Sequence, residues 1–124
     1  MKKDFRILIV EDQEDNSELF KEFLSGLGYP IELATNGLEA IEMVRKINDF
    51  DLILMDIKMP VMLGDESLYE IRKIYPELPV IAVTAYALSG DRELYLEKGF
   101  NDYISKPMDL LLLKNLIEKY ENIS

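Results

Sequence analysis

A chain of 124 residues sits near the commonest size of a single domain and can bury roughly two-thirds of its unfolded surface, so one hydrophobic core is expected. The 14 basic and 24 acidic residues give 14 − 24 = −10, a balance that opposes binding to DNA or to an anionic membrane face. Histidine and cysteine are absent, which excludes imidazole metal sites, Ser-His-Asp triads and a phosphohistidine on this chain, and is compatible with a cytoplasmic location.

No apolar run approaches the about 18 residues of a membrane span. Met1-Lys2-Lys3-Asp4-Phe5 passes straight into a strand-like segment, which leaves no room for a signal peptide. A cytoplasmic chain that neither enters a membrane nor binds nucleic acid directly is therefore expected.

Two apolar patterns alternate along the chain. Phe5 to Val10 is a short apolar run suited to a strand buried on both faces, and Leu19, Phe20, Phe23, Leu24 and Leu27 follow at helical spacing, with Gly28 placed to end that helix. Ile31 to Ala34 predicts a second strand. Asn36 with Glu39 resembles a capping box opening a second helix through Ala40, Ile41, Val44 and Ile47. Leu52 to Met55 predicts the third strand, and Leu68, Ile71 and Ile74 the third helix. After Val80 to Val83 comes the least amphipathic helix, Ala87 to Lys98, closed by Gly99. Asp102 to Ile104 is the fifth strand, and Asp109 can cap a last helix carrying Leu113, Leu116, Ile117 and Tyr120.

Five strands alternating with five helices predict parallel β-α-β units, a central sheet and helices on both faces. No linker, repeat or low-complexity segment divides the chain, so residues 1–124 are expected to form one domain. In such sheets the functional crevice lies at the carboxyl ends of the strands. The residues arriving there are Glu11-Asp12-Gln13, Asp56-Ile57-Lys58, Thr84-Ala85-Tyr86 and Ser105-Lys106-Pro107.

Glu11, Asp12 and Asp56 would bring three carboxylates together, which repel unless a cation joins them. Oxygen-only ligation favours a hard ion, and an open site suits Mg²⁺ better than an enclosed Ca²⁺ cage. Asp56, held at the end of a central strand, is placed as a nucleophile toward phosphorus, with Lys106 as a fixed cation and Thr84 as a hydroxyl donor. Taken singly, each acid could cap a helix or face water, Lys106 could be a solvated surface lysine, and Thr84 could bond its own backbone.

The set resembles the receiver domains of two-component response regulators across essentially the whole chain. The acidic pair Glu11 and Asp12, Met55-Asp56-Ile57-Lys58-Met59-Pro60, Thr84-Ala85 and Lys106-Pro107 carry that resemblance in identity, order and spacing. It implies a flavodoxin-like α/β fold, a (βα)5 three-layer sandwich with a parallel five-stranded sheet of order 2-1-3-4-5. It further implies Asp56 as phosphoacceptor, Mg²⁺ held by Asp12, Asp56 and the Lys58 carbonyl, and Glu11 acting through water. Lys106, Thr84 and the Ala85 amide would contact the phosphoryl group, and Thr84 and Tyr103 would form the switch pair. Tyr103 could equally be an amphipathic tyrosine at the sheet edge.

The same resemblance implies a cis Lys106-Pro107 bond and a histidine kinase or histidine phosphotransfer protein as donor. It implies no enzymatic activity beyond transfer to the chain's own aspartate and its hydrolysis. Output would pass through the face of the fourth helix, fifth strand and fifth helix, where a homodimer could form. Leu110 to Leu113 supports such a contact, since four consecutive leucines cannot all face one core.

The Met59-Pro60-Val61-Met62-Leu63-Gly64 loop looks most like receivers of hybrid histidine kinases, but Leu63 stands where many of them carry an acid. A flavodoxin-like cofactor carrier would need a glycine- and hydroxyl-rich first loop in place of Glu11-Asp12-Gln13-Glu14-Asp15. A haloacid-dehalogenase-like phosphatase would need a second acid where Lys58 stands. The remaining rival is a receiver fold acting as a constitutive interaction module.

Overall fold

The computed structural model describes residues 4–47, 49–57, 64–84, 91–106 and 109–123. Strands and helices alternate as β1 (Ile7–Val10), α1 (Glu14–Gly26), β2 (Ile31–Ala34), α2 (Gly37–Ile47), β3 (Leu52–Asp56), α3 (Gly64–Ile74), β4 (Val80–Thr84), α4 (Asp91–Glu97), β5 (Asp102–Ser105) and α5 (Leu110–Ile123). The strands pair in parallel in the order β2-β1-β3-β4-β5, as the resemblance implies.

Strand side chains alternate between two cores because successive Cβ atoms point to opposite faces. Leu8, Val10, Ile53, Met55, Val80 and Ala82 face one side, covered by Ala40, Ile41 and Val44 of α2 and Leu68 and Ile71 of α3. Ile7, Ile9, Leu52, Leu54, Ile81, Val83 and Ile104 face the other, under Phe20 and Leu24 of α1 and Leu113, Ile117 and Tyr120 of α5. Near-continuous apolar strands thus belong to a sheet buried on both faces.

The first strand starts later than the expected Phe5. The Arg6 amide donates to the Asp51 side chain at 2.9 Å, so the ladder begins only at Ile7. Strands β3, β4 and β5 each run one residue further than expected, to Asp56, Thr84 and Ser105, carrying those residues to the sheet edge inside regular structure. Of the expected Ala87 to Lys98 helix, Asp91–Glu97 is helical and Lys98 lies in the closing turn, while 87–90 fall outside the described residues. Leu19, Leu27 and Ile47 belong to the predicted apolar stripes yet are exposed, so those stripes are wider than the faces they bury.

The caps follow the expected residues. Asn36 Oδ1 accepts from the Glu39 amide at 2.9 Å, but the Glu39 carboxylate reaches back one residue further than a capping box requires, to the Thr35 amide at 3.0 Å. Gly28 and Gly99 end α1 and α4 with φ of 99° and 110°, a conformation that costs other residues strain. Asp109 Oδ1 accepts from the amides of Leu111 and Leu112 at 2.9 and 3.2 Å. Asp109→Ala is expected to lower stability by about 0.5 to 2 kcal/mol in urea unfolding, and Asp109→Ser to restore most of it.

Candidate functional site

The parallel register decides which side chains meet. Val10 pairs with Met55, Asp56 with Val83 and Thr84 with Ser105, so β1, β3, β4 and β5 end along one edge. Beyond β1, the Glu11 amide still bonds the Ala34 carbonyl at 3.0 Å, and Ile57 after β3 bonds the Val83 carbonyl at 3.0 Å. The Lys106 amide donates to the Thr84 carbonyl at 2.7 Å. Each of these backbone bonds fixes the root of a side chain at the site.

Glu11, Asp56 and Thr84 are buried there, and Asp12 is half-buried. One carboxylate oxygen from each of Glu11, Asp12 and Asp56 lies within 4.8 Å of the other two. The Lys106 ammonium sits 3.0 Å from Glu11 Oε1 and 3.2 Å from Asp56 Oδ2, donating a hydrogen bond to the latter. Glu11 Oε2 accepts from the Gln13 amide at 3.0 Å, where the chain turns into α1. The predicted acids and lysine are therefore brought together with Thr84 at the adjoining strand end. The Lys58 carbonyl, the Ala85 amide, Tyr86, Leu63 and the Lys106-Pro107 bond lie outside the described residues.

Burial, and then the Asp56 charge, raises the Glu11 pKa above the ordinary carboxylate value, against the lowering effect of the Gln13 amide and Lys106. Burial alone would lower Lys106, but its hydrogen bonds and charge pairing with Glu11 and Asp56 outweigh this and raise it. The sequence places Glu11 in the carboxylate cluster, and the resemblance implies a water-mediated role toward the metal; neither reveals its direct contact with Lys106.

Gly64, the first residue of α3, stands where no side chain fits. Its amide bonds the Ile57 carbonyl at 2.9 Å, and a Cβ there would lie 2.8 Å from the Asp56 carbonyl oxygen and 2.9 Å from Ile57 Cα. Those neighbours are backbone atoms of the strand end that carries Asp56, and they cannot swing away. Tyr103 packs against the core on the α2 and α3 side of the sheet, and its ring stacks on Tyr95 of α4 with centroids 5.6 Å apart.

The model of the response regulator receiver domain matches residues 7–118. The chain belongs to this family. Hybrid signal transduction histidine kinase I of Dictyostelium discoideum is 38% identical over 120 residues, covering 90% of this chain and 7% of that protein. Transcriptional regulatory protein ZraR of Klebsiella oxytoca is 42% identical over 103 residues, covering 83% of the chain and 23% of that protein. The receiver domain thus spans less than a quarter of the length of these relatives.

Among solved structures, the receiver domain of sensor histidine kinase PA1611 from Pseudomonas aeruginosa, with a magnesium ion coordinated in its active-site cleft, superposes with a TM-score of 0.87. It is 35% identical and covers 97% of this chain and 99% of its own. The co-crystal structure of the Saccharomyces cerevisiae phosphotransfer protein Ypd1 with the Ssk1 receiver domain gives a TM-score of 0.89 at 29% identity, covering 99% and 92%. The receiver fold and its place in two-component phosphorelay signalling follow.

Two outcomes are expected from this geometry. Gly64→Ala pushes apart the Asp56 and Ile57 backbone, and should lower the thermal midpoint and shift the Asp56 amide resonance. For Lys106 the folded pKa exceeds the unfolded one, so its contribution is complete below the ordinary lysine range and is lost as pH rises through the folded value. Thermal melts between neutral and strongly alkaline pH should accordingly decline less steeply in Lys106→Met than in wild type.

Proposed function

We propose that this receiver domain, taken as the single unit 1–124, accepts a phosphoryl group on Asp56 from the phosphohistidine of a histidine kinase or histidine phosphotransfer protein. The observation that carries the reading is the Lys106 ammonium 3.2 Å from Asp56 Oδ2, at an edge where Glu11 and Asp12 add their carboxylates. A buried acid with a fixed cation beside it is equipped for an associative or dissociative attack on phosphorus alike.

In the reaction an Asp56 carboxylate oxygen forms a bond to phosphorus as the bond from phosphorus to the donor imidazole breaks, and the imidazole leaves with the electron pair. Lys106 neutralises charge on the phosphoryl oxygens, and the Thr84 hydroxyl donates to one of them. The donor set is all oxygen and partly buried, which fits a hard divalent ion. Asp12, Asp56 and the Lys58 carbonyl would hold Mg²⁺, with Glu11 acting through water, and the ion would supply charge neutralisation when bound. Among the relatives described above, one receiver carries magnesium in its cleft and another is a phosphotransfer partner's complex, which supports both assignments. The chain then acts on its own aspartate and is not a turnover enzyme for an external substrate.

Aspartyl phosphate adds nearly two negative charges beside Glu11 and Asp12. Drawing Thr84 and Tyr103 toward that charge alters the α4, β5 and α5 face, where Leu94, Leu111 and Leu112 are exposed and could support a homodimer. Among the described residues no helix is long and apolar enough to cross a membrane, and the net charge of −10 disfavours direct nucleic-acid binding; the signalling role proposed here is a cytoplasmic one.

The test is phosphorylation by a small-molecule donor such as acetyl phosphate in Mg²⁺. Wild type should gain an alkali-labile, hydroxylamine-sensitive phosphoryl group, Asp56→Asn none, and Lys106→Met should react roughly a hundredfold more slowly. Beryllium fluoride with Mg²⁺ should shift the Tyr103 and Asp56 amide resonances in wild type and not in Asp56→Asn. An unresponsive wild type would leave the constitutive interaction module as the better reading.

A further inference from the structure

Lys106 holds two of the three carboxylates that a divalent cation would draw on. Its ammonium contacts Glu11 and Asp56 at 3.0 and 3.2 Å, and the three side chains are only 19%, 2% and 8% exposed. The pairing is braced from both ends. The Lys106 backbone is tied to Thr84, and the second oxygen of Glu11 is held by the Gln13 amide. Solvent therefore screens little of the interaction, and two cations sharing these carboxylates repel each other strongly.

We infer that Lys106 opposes divalent-cation binding, and that its ion pair with Glu11 sets the metal affinity of the site. Glu11 is then a positioning residue for the ammonium. Metal entry weakens the hold of Glu11 on Lys106 and releases it toward the phosphoryl oxygens, and a phosphoryl group that draws Lys106 from Glu11 strengthens metal binding by the same factor. This rests on the metal assignment proposed above, but it does not depend on phosphotransfer.

The experiment is Mn²⁺ titration of the full chain, with free ion read by electron paramagnetic resonance and Mg²⁺ as competitor. Lys106→Met is expected to bind roughly tenfold more tightly than wild type, and Lys106→Gln, as a second neutral variant, similarly. Lys106→Arg retains the charge and should stay within about twofold. In a Glu11→Gln background the gain from Lys106→Met should shrink, because one of the two ion pairs through which Lys106 holds the carboxylates is already gone and only that with Asp56 remains.

Unchanged or weaker binding in both neutral variants overturns the inference, as does an equal gain in the two backgrounds or full tightening by Lys106→Arg. Asp12→Asn separates the two failures. If that variant binds Mn²⁺ as wild type does, the metal assignment itself is wrong; if it binds more weakly while the neutral lysine variants do not tighten, only the antagonism is wrong.

Discussion

Three carboxylates and one ammonium share the carboxyl edge of the sheet, and the fold has to tolerate their mutual repulsion before any chemistry can use it. Two like charges about 4 Å apart interact by roughly 4 kcal/mol at an effective dielectric of about 20, a large part of a domain's whole stability. Lys106 is the compensating charge, and it reaches Glu11 and Asp56 only because β5 is parallel to β4 and its amide is locked to Thr84. Strand register and site electrostatics are thus one constraint. A slip of one residue in β5 would turn the lysine to the opposite face and leave the acids uncompensated.

Much of this arrangement was legible because two different periodicities alternate along the chain. Five apolar runs between amphipathic stretches dictate a parallel sheet, and the carboxyl-edge rule then names Glu11, Asp12, Asp56, Thr84 and Lys106 without coordinates. What escaped the sequence depends on contacts across the fold. The start of β1 moved to Ile7 because a side chain from the β3 approach, Asp51, captures the Arg6 amide, and no local pattern at Phe5 signals that. The stripe positions Leu19, Leu27 and Ile47 remain exposed because spacing reports a helical face but not how much of it a neighbour covers.

Glu11 and Gly64 illustrate the same distinction at the site itself. An acidic pair after the first strand predicts a cation site, but which acid meets the lysine depends on how the Gln13 amide orients the Glu11 carboxylate. Gly64 reads in sequence as a loop glycine with no stated purpose. Its role emerges from the return of the chain against the Asp56 carbonyl at a distance that excludes a methyl group.

The opposite edge of the sheet is built to a different standard, and the contrast bears on signalling. There Arg72 of α3 donates to the carbonyls of Leu78 and Gly99 and to the Asn101 side chain, which also accepts from the Val80 amide. Tyr120 of α5 bonds the Asn101 carbonyl and Asp102, and Lys119 joins the same carboxylate. These bonds tie α3, β4, β5 and α5 together at the end of the sheet away from Asp56. Further along β5, Tyr103 stacks on Tyr95 of α4, a contact of dispersion and quadrupole forces that is less directional than a hydrogen-bond network. If Asp56 takes a phosphoryl group as proposed, the added charge acts at the end of β4 and β5 away from this network, and the less directional Tyr95–Tyr103 contact is where α4 and β5 would shift against each other.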